Sequence, residues 1–239
     1  MSFRRKLLTV GLALGSIATP ILADSFKPVQ AGDEHSNWYM TIGSGFEKVS
    51  ESNLKSKETG YTDVNGNMKY DLGFSGNLGV GYDFGSWRVE GTYGYSSFTT
   101  ESVKIMEGGV TVTAPLSTNL ENHSLKVGGF YDINKEGNKF SPYLGARAGL
   151  VKTNLDGITA SVDVSGTTVS VSTNDSDDTA FTYEFLGGLN VNVSDAVDVF
   201  IETGWVGVGD QTFDLGNNAK LDVDSTGAWK TQIGFRHRL

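Results

Sequence analysis

Residues 227–239 read Gly-Ala-Trp-Lys-Thr-Gln-Ile-Gly-Phe-Arg-His-Arg-Leu. Taken two at a time, Trp229, Thr231, Ile233, Phe235, His237 and Leu239 fall on one side. Lys230, Gln232, Gly234, Arg236 and Arg238 fall on the other. A strand sends successive side chains to opposite faces, so this stretch has one largely apolar face and one small, polar or cationic face. In a soluble protein the apolar face would be the core. In a membrane barrel the polarity is inverted, with apolar residues toward lipid and polar residues toward the lumen.

The same period recurs upstream. Leu72, Phe74, Leu78, Val80 and Tyr82 alternate with Gly73, Ser75, Asn77 and Asp83, and Trp87, Val89, Tyr93 and Tyr95 with Arg88, Glu90 and Thr92. Leu125, Val127 and Tyr131 alternate with Lys126, Phe130 and Asp132, and Leu144, Ala146, Ala148 and Leu150 with Tyr143, Arg147 and Gly149. Phe181, Tyr183 and Phe185 alternate with Thr182, Glu184 and Leu186, and Val199, Ile201 and Trp205 with Asp198, Phe200 and Glu202. Trp38, Met40 and Ile42 supply the apolar face of a first strand. With the terminal strand, these make eight segments of about 9–14 residues, the length a tilted membrane strand requires.

The intervening segments alternate in length. Those at 47–70, 99–119, 152–178 and 209–225 are long, and those at 83–86, 133–139 and 194–195 are short. Short turns at one end and long loops at the other are the signature of an up-and-down barrel in an outer membrane. Each long segment also carries a weak hairpin pattern centred on Asn65-Gly66, Glu107-Gly108-Gly109, Ser165-Gly166 or Gly216-Asn217-Asn218, the pairs that suit tight turns. The expectation is a ribboned rim above the membrane, polar and without a core of its own.

The amino terminus predicts export. Arg4, Arg5 and Lys6 precede an apolar run, Leu7–Ile17, and small residues follow it, with Ala23 favoured over Ala18 as the cleavage point. The expected organisation is a signal peptide at 1–23, a short periplasmic arm at 24–35 and a barrel at 36–239. The chain has no cysteine, so neither a disulfide framework nor a thiolate metal site is available. Its formal charge of -9 opposes nucleic-acid binding, which relies on Lys/Arg patches.

The leader, Trp38-Tyr39 opening the first strand, the Gly-aromatic strands and the carboxy-terminal strand together resemble the small OmpA/OmpX-type outer-membrane β-barrels. The resemblance implies an all-β, eight-stranded antiparallel transmembrane barrel with short periplasmic turns and four long external loops. It also implies recognition of the last strand by the barrel-assembly machinery through Ile233, Phe235, His237 and Leu239. The family usually ends in Phe, where this chain has Leu239, and often carries an aromatic where it has His237.

An eight-stranded barrel is just wide enough for side chains to fill. Inward charges must therefore pair, and the expected lumen network comprises Arg88, Glu90, Lys126, Arg147, Glu184, Glu202, Lys230 and Arg236. Trp38, Tyr82, Trp87, Tyr131, Tyr183, Trp205, Trp229 and Phe235 are the expected interface aromatics, since rings with a polar tip suit the headgroup level.

Signals for chemistry are weak. His35, His123 and His237 have no metal-ligand spacing, and His123 and Ser124 point to opposite faces. Asn174-Asp175-Ser176-Asp177-Asp178 lacks the Gly and Glu of a calcium loop. Gly85-Ser86-Trp87 resembles the Gly-x-Trp of lipocalins but follows two strands instead of opening the first. The expectation is a monomeric, non-enzymatic surface protein with no cofactor, surrounded by outer-membrane lipid, its loops meeting the environment or a host. A narrow low-conductance pore and a secreted lipocalin-like carrier are the alternatives.

Overall fold

The computed structural model describes residues 37–58, 64–107, 110–115, 118–133, 138–157, 159–164, 167–216 and 219–239. The expected signal peptide and periplasmic arm lie outside the described residues. The strands, in chain order, are β1 Trp38–Val49, β2 Ser52–Glu58, β3 Val64–Tyr70, β4 Leu72–Asp83, β5 Trp87–Glu107, β6 Val110–Pro115, β7 Asn119–Asp132 and β8 Phe140–Leu155. They continue as β9 Thr159–Val164, β10 Thr167–Ser172, β11 Ser176–Ser194, β12 Val197–Val208, β13 Gln211–Gly216, β14 Ala219–Val223 and β15 Thr226–Arg238.

Eight of these close on themselves. The ring runs β1-β4-β5-β7-β8-β11-β12-β15 and back to β1, antiparallel at every step. The seam pairs Ile42 with Phe235 and Tyr39 with Arg238. Closure removes the open edges that a sheet of this length would otherwise present. The short turns occupy one end. In the first of them Gly85 adopts φ +99°, a left-handed conformation that suits glycine, and donates its N–H to Asp83 Oδ1 at 2.9 Å.

The alternation decides which solvent the wall faces. Leu125, Val127, Leu150 and Phe181 point outward and are 69, 65, 58 and 57 % exposed. Arg88, Glu90, Arg147 and Glu184 point inward and are buried. A contiguous apolar exterior around a charged interior is the polarity of a membrane barrel. A lipocalin-like carrier would need the reverse, an apolar interior and a hydrated exterior, so that alternative is overturned.

The long connections depart from expectation in two respects. Asn65-Gly66 is not a turn: both residues lie within β3, paired with Lys55 and Leu54 of β2. The β2–β3 connection therefore falls in 59–63, outside the described residues. Gly108, Gly109, Ser165, Gly166, Asn217 and Asn218 lie outside them as well, although β5–β6, β9–β10 and β13–β14 pair on either side of these points.

Nor is the rim without a core. β13, β14, β2, β3, the distal half of β5, and β6 join into one sheet above the barrel, with β9–β10 as a separate hairpin. Leu54, Met68, Tyr70, Phe98, Leu155, Phe213 and Leu221 form a buried cluster, flanked by Val49, Leu120, Leu215 and Val223. The β2–β3 and β13–β14 hairpins turn these apolar side chains to one face. Such a face must pack against another element to leave water, and here these faces meet each other.

Candidate functional site

The lumen is filled in layers from its turn end upward. Arg88 on β5 is fully buried and forms two parallel bonds to Asp132 on β7, Nε to Oδ2 at 2.6 Å and Nη2 to Oδ1 at 3.0 Å. Its guanidinium lies 4.8 Å from the Phe130 ring and 5.0 Å from the Tyr143 ring. A planar, weakly hydrated cation suits such a stack, which satisfies its charge and its faces together. Arg236 sits beside it, 5.1 Å from the Tyr39 ring and 3.8 Å from Asp198, which Arg238 also holds at 2.8 Å. Tyr143 fits here because glycine stands across from it: a Cβ on Gly188 would fall inside the Tyr143 ring.

The next layer centres on Arg147 of β8. Its Nη1 reaches Glu202 at 2.9 Å and Glu184 at 3.4 Å, and its Nη2 reaches Glu90 at 3.2 Å. Glu202 also accepts from Tyr143 Oη at 2.8 Å and from Gln232. Glu184 is shared further with Lys126 at 3.0 Å and Lys230 at 3.8 Å. All eight charged residues named from the sequence are thus buried in the lumen. Six of them (Glu90, Lys126, Arg147, Glu184, Glu202 and Lys230) form one connected set. Arg88 and Arg236 belong to the layer below, paired with Asp132 and Asp198.

Those two aspartates and Glu47 were not assigned to the lumen network from the sequence. Each is buried, and each lies on the inward parity of its own strand, the signal that could have found it. Above the ion pairs a polar cavity of about 40 Å³ is lined by Glu47, Ser75, Asn77, Lys126, Glu184 and Lys230. Ser75 Oγ and both amide atoms of Asn77 have no protein partner there, as expected of groups that meet internal water. A second space of about 60 Å³, walled by Met68, Phe98, Leu155 and Phe213, lies under the loop cluster. Spaces of this size hold small clusters of water. In the loop cluster, burial pushes the Tyr70 phenol above its ordinary pKa.

The expected interface aromatics face outward. Trp38 and Tyr82 meet edge to face at 5.3 Å, and Trp87 and Tyr131 lie 4.9 Å apart, both pairs near the turns. Trp205 and Trp229 pair at 5.7 Å toward the opposite end, and Tyr183 stacks in file with Phe181 and Phe185. Ile233, Phe235 and Leu239 are exposed on the outer wall, with His237 half-buried between Met40 and Val197.

The weaker chemical signals resolve into structural roles. His123 faces outward and meets Tyr93 Oη through Nδ1 at 2.7 Å, whereas Ser124 is buried inside. Asp175 accepts the Gly157 N–H at 2.7 Å, and Asp178 accepts those of Thr179 and Thr212 at 2.7 and 2.6 Å, so this acidic run staples loop backbone. Among the described residues no group of three His, Cys, Asp or Glu side chains is arranged to hold a metal.

Comparison with known proteins gives a consistent picture. The profile of the outer membrane protein beta-barrel domain family matches residues 12–236. A Rickettsia bellii (strain RML369-C) protein described as "Putative adhesin" is 25% identical over 222 residues, covering 88% of this chain and 87% of the relative. Among solved structures, OprG of Pseudomonas aeruginosa aligns with TM-score 0.53 at 16% identity, covering 86% of this chain and 97% of OprG. Neisserial surface protein A aligns with TM-score 0.50 at 18% identity, covering 87% and 100%. At these identities the two structures speak to the fold alone.

Proposed function

We propose, from the premise that this chain belongs to the outer membrane protein beta-barrel domain family, that it is a non-enzymatic surface protein whose barrel anchors its external loops. The chain is an outer-membrane protein, and the proposal concerns what it does there. The observation that carries it is the filled lumen. Ion pairs and rings occupy the turn end and middle, and an apolar cluster covers the mouth. A barrel filled in this way is suited to holding loops in place, and a solute pore would require this packing to come apart. The described relative in Rickettsia supports an adhesive role, with the partner a host or environmental surface. In this reading the chain works as a monomer, since a closed barrel leaves no edge to be covered. Ile233, Phe235, His237 and Leu239 present the last strand to the barrel-assembly machinery.

The test is attachment. The protein is produced in the outer membrane of a non-adherent bacterium, beside a variant in which residues 159–172 and 211–223 are replaced by short turns. Attachment to cultured host cells should rise several-fold over the empty strain and be lost in the loop-replaced barrel, with both proteins still heat-modifiable on gels. Equal attachment by the empty strain and both barrels would refute the adhesive reading.

A further inference from the structure

The outer wall is not uniformly convex. A groove of about 700 Å³ runs across it, walled by Tyr93, Leu125, Val127 and Leu150. Its depth comes from a missing side chain. Gly91 faces outward between Val80 and Val127, and a Cβ built on it would meet nothing nearer than Val80 O at 3.9 Å. The groove is therefore apolar and open to the membrane.

Toward the mouth it ends at two basic side chains. His123 and Lys152 are direct cross-strand partners on β7 and β8, and both line the groove. Tyr93 Oη lies 2.7 Å from His123 Nδ1 and the Tyr95 ring lies 5.3 Å from the imidazole, which fixes the ring. Tyr93 Oη can donate to Nδ1, in which tautomer Nε2 carries the proton and is free to donate outward. Lys152 is half exposed and shares its charge with Asp177 at 3.0 Å, both side chains more than half in solvent. An exposed pair of that kind holds its partners weakly. The other acid nearby, Glu121, accepts from Tyr95 Oη at 3.0 Å.

We infer that this groove is a binding site for a phosphate-bearing lipid of the surrounding membrane. An acyl chain fills the space above Gly91, and the phosphate meets His123 and Lys152 at the loop-side rim. The chemistry is that of a membrane lipid and not of a free anion, because the apolar groove and the basic pair are continuous. A phosphate competes with Asp177 for Lys152 and accepts from His123 Nε2, while the tail packs in van der Waals contact with the apolar wall.

The test is native mass spectrometry of the folded barrel in detergent with three probes: dioleoyl phosphatidic acid, dioleoylglycerol and glycerol 3-phosphate. Phosphatidic acid should be retained on the order of tenfold better than either of the others, the scale of one cation–phosphate attraction at a membrane surface. Joint His123→Ala and Lys152→Ala substitution should remove that preference. So should Gly91→Leu, which fills the groove from its floor. Gly129→Leu, at an outward glycine where a Cβ likewise has open space but which does not line the groove, should leave it intact. Equal retention of phosphatidic acid and dioleoylglycerol would overturn the phosphate site, and glycerol 3-phosphate binding as well as phosphatidic acid would overturn the groove. Loss of the preference in Gly129→Leu, or its survival in Gly91→Leu, would also overturn it. Heat-modifiability of each variant shows that the barrel has closed.

Discussion

At the scale of single residues, the charged lumen gives the sharpest expectation. Arg88 and Asp132 are fully buried partners, so removing one leaves the other as an uncompensated charge. Asp132→Ala should lower unfolding stability by about 3–5 kcal/mol, read from urea unfolding in lipid vesicles. Arg88→Met with Asp132→Leu should recover most of that loss, because the desolvated charges are gone together. Gly188→Val tests packing instead of charge. Its side chain must displace the Tyr143 ring, which should destabilise the barrel by about 1–3 kcal/mol or more. The inward charges were legible in the sequence because parity alone places a side chain in or out. What parity does not give is the partner. Arg147 finds its carboxylates on β5, β11 and β12, and those distances depend on where the ring closes. Asp132, Asp198 and Glu47 had the right parity and lacked only a reason to be singled out.

At the scale of elements, the eight wall strands were readable and the loop sheet was not. A wall strand has a face fixed by lipid and a face fixed by the lumen, so its pattern is strict. A loop hairpin has one apolar face whose destination depends on other hairpins far away in sequence. Asn65-Gly66 shows the consequence. The pair is a good local turn, yet β2 starts early enough to take it as strand partner, and pairing over Ser52–Ser56 prevails over turn preference. The loop cluster should behave as a unit of its own. Phe213→Asp places a charge in that cluster, and the loops should then be cut by protease on intact cells while the wall strands remain protected. Unchanged loop resistance would contradict the buried cluster. Tyr70 adds a dependence on pH. Its folded-state pKa is raised, so its contribution is full below the unfolded value of about 10 and is lost as pH rises through the folded one. The loops should become protease-sensitive under alkaline conditions before the barrel opens, and Tyr70→Phe should remove that sensitivity.

At the scale of the whole molecule, charge and polarity are partitioned. Glu47, Glu90, Asp132, Glu184, Asp198 and Glu202 are buried in the lumen against Arg88, Lys126, Arg147, Lys230 and Arg236, with Arg238 at the rim. Near-balance of this kind lets a buried interior hold many charges without a large net field. Outside, the apolar wall meets lipid and the loops meet water, where Asp175, Asp178 and Asp210 accept from backbone N–H groups. The polarity, strand number and loop order were all present in the sequence, because each is a regular pattern over the full chain. The closed mouth was not, since it arises from contacts among segments up to about 170 residues apart, such as Leu54 and Leu221. A closed barrel with a filled lumen is best tested by recording current across a planar lipid bilayer containing the folded, heat-modifiable protein. A flat baseline with no stable conductance steps is expected. Reproducible steps whose size changes in Glu202→Gln, with folding retained, would contradict it and make the lumen a pore.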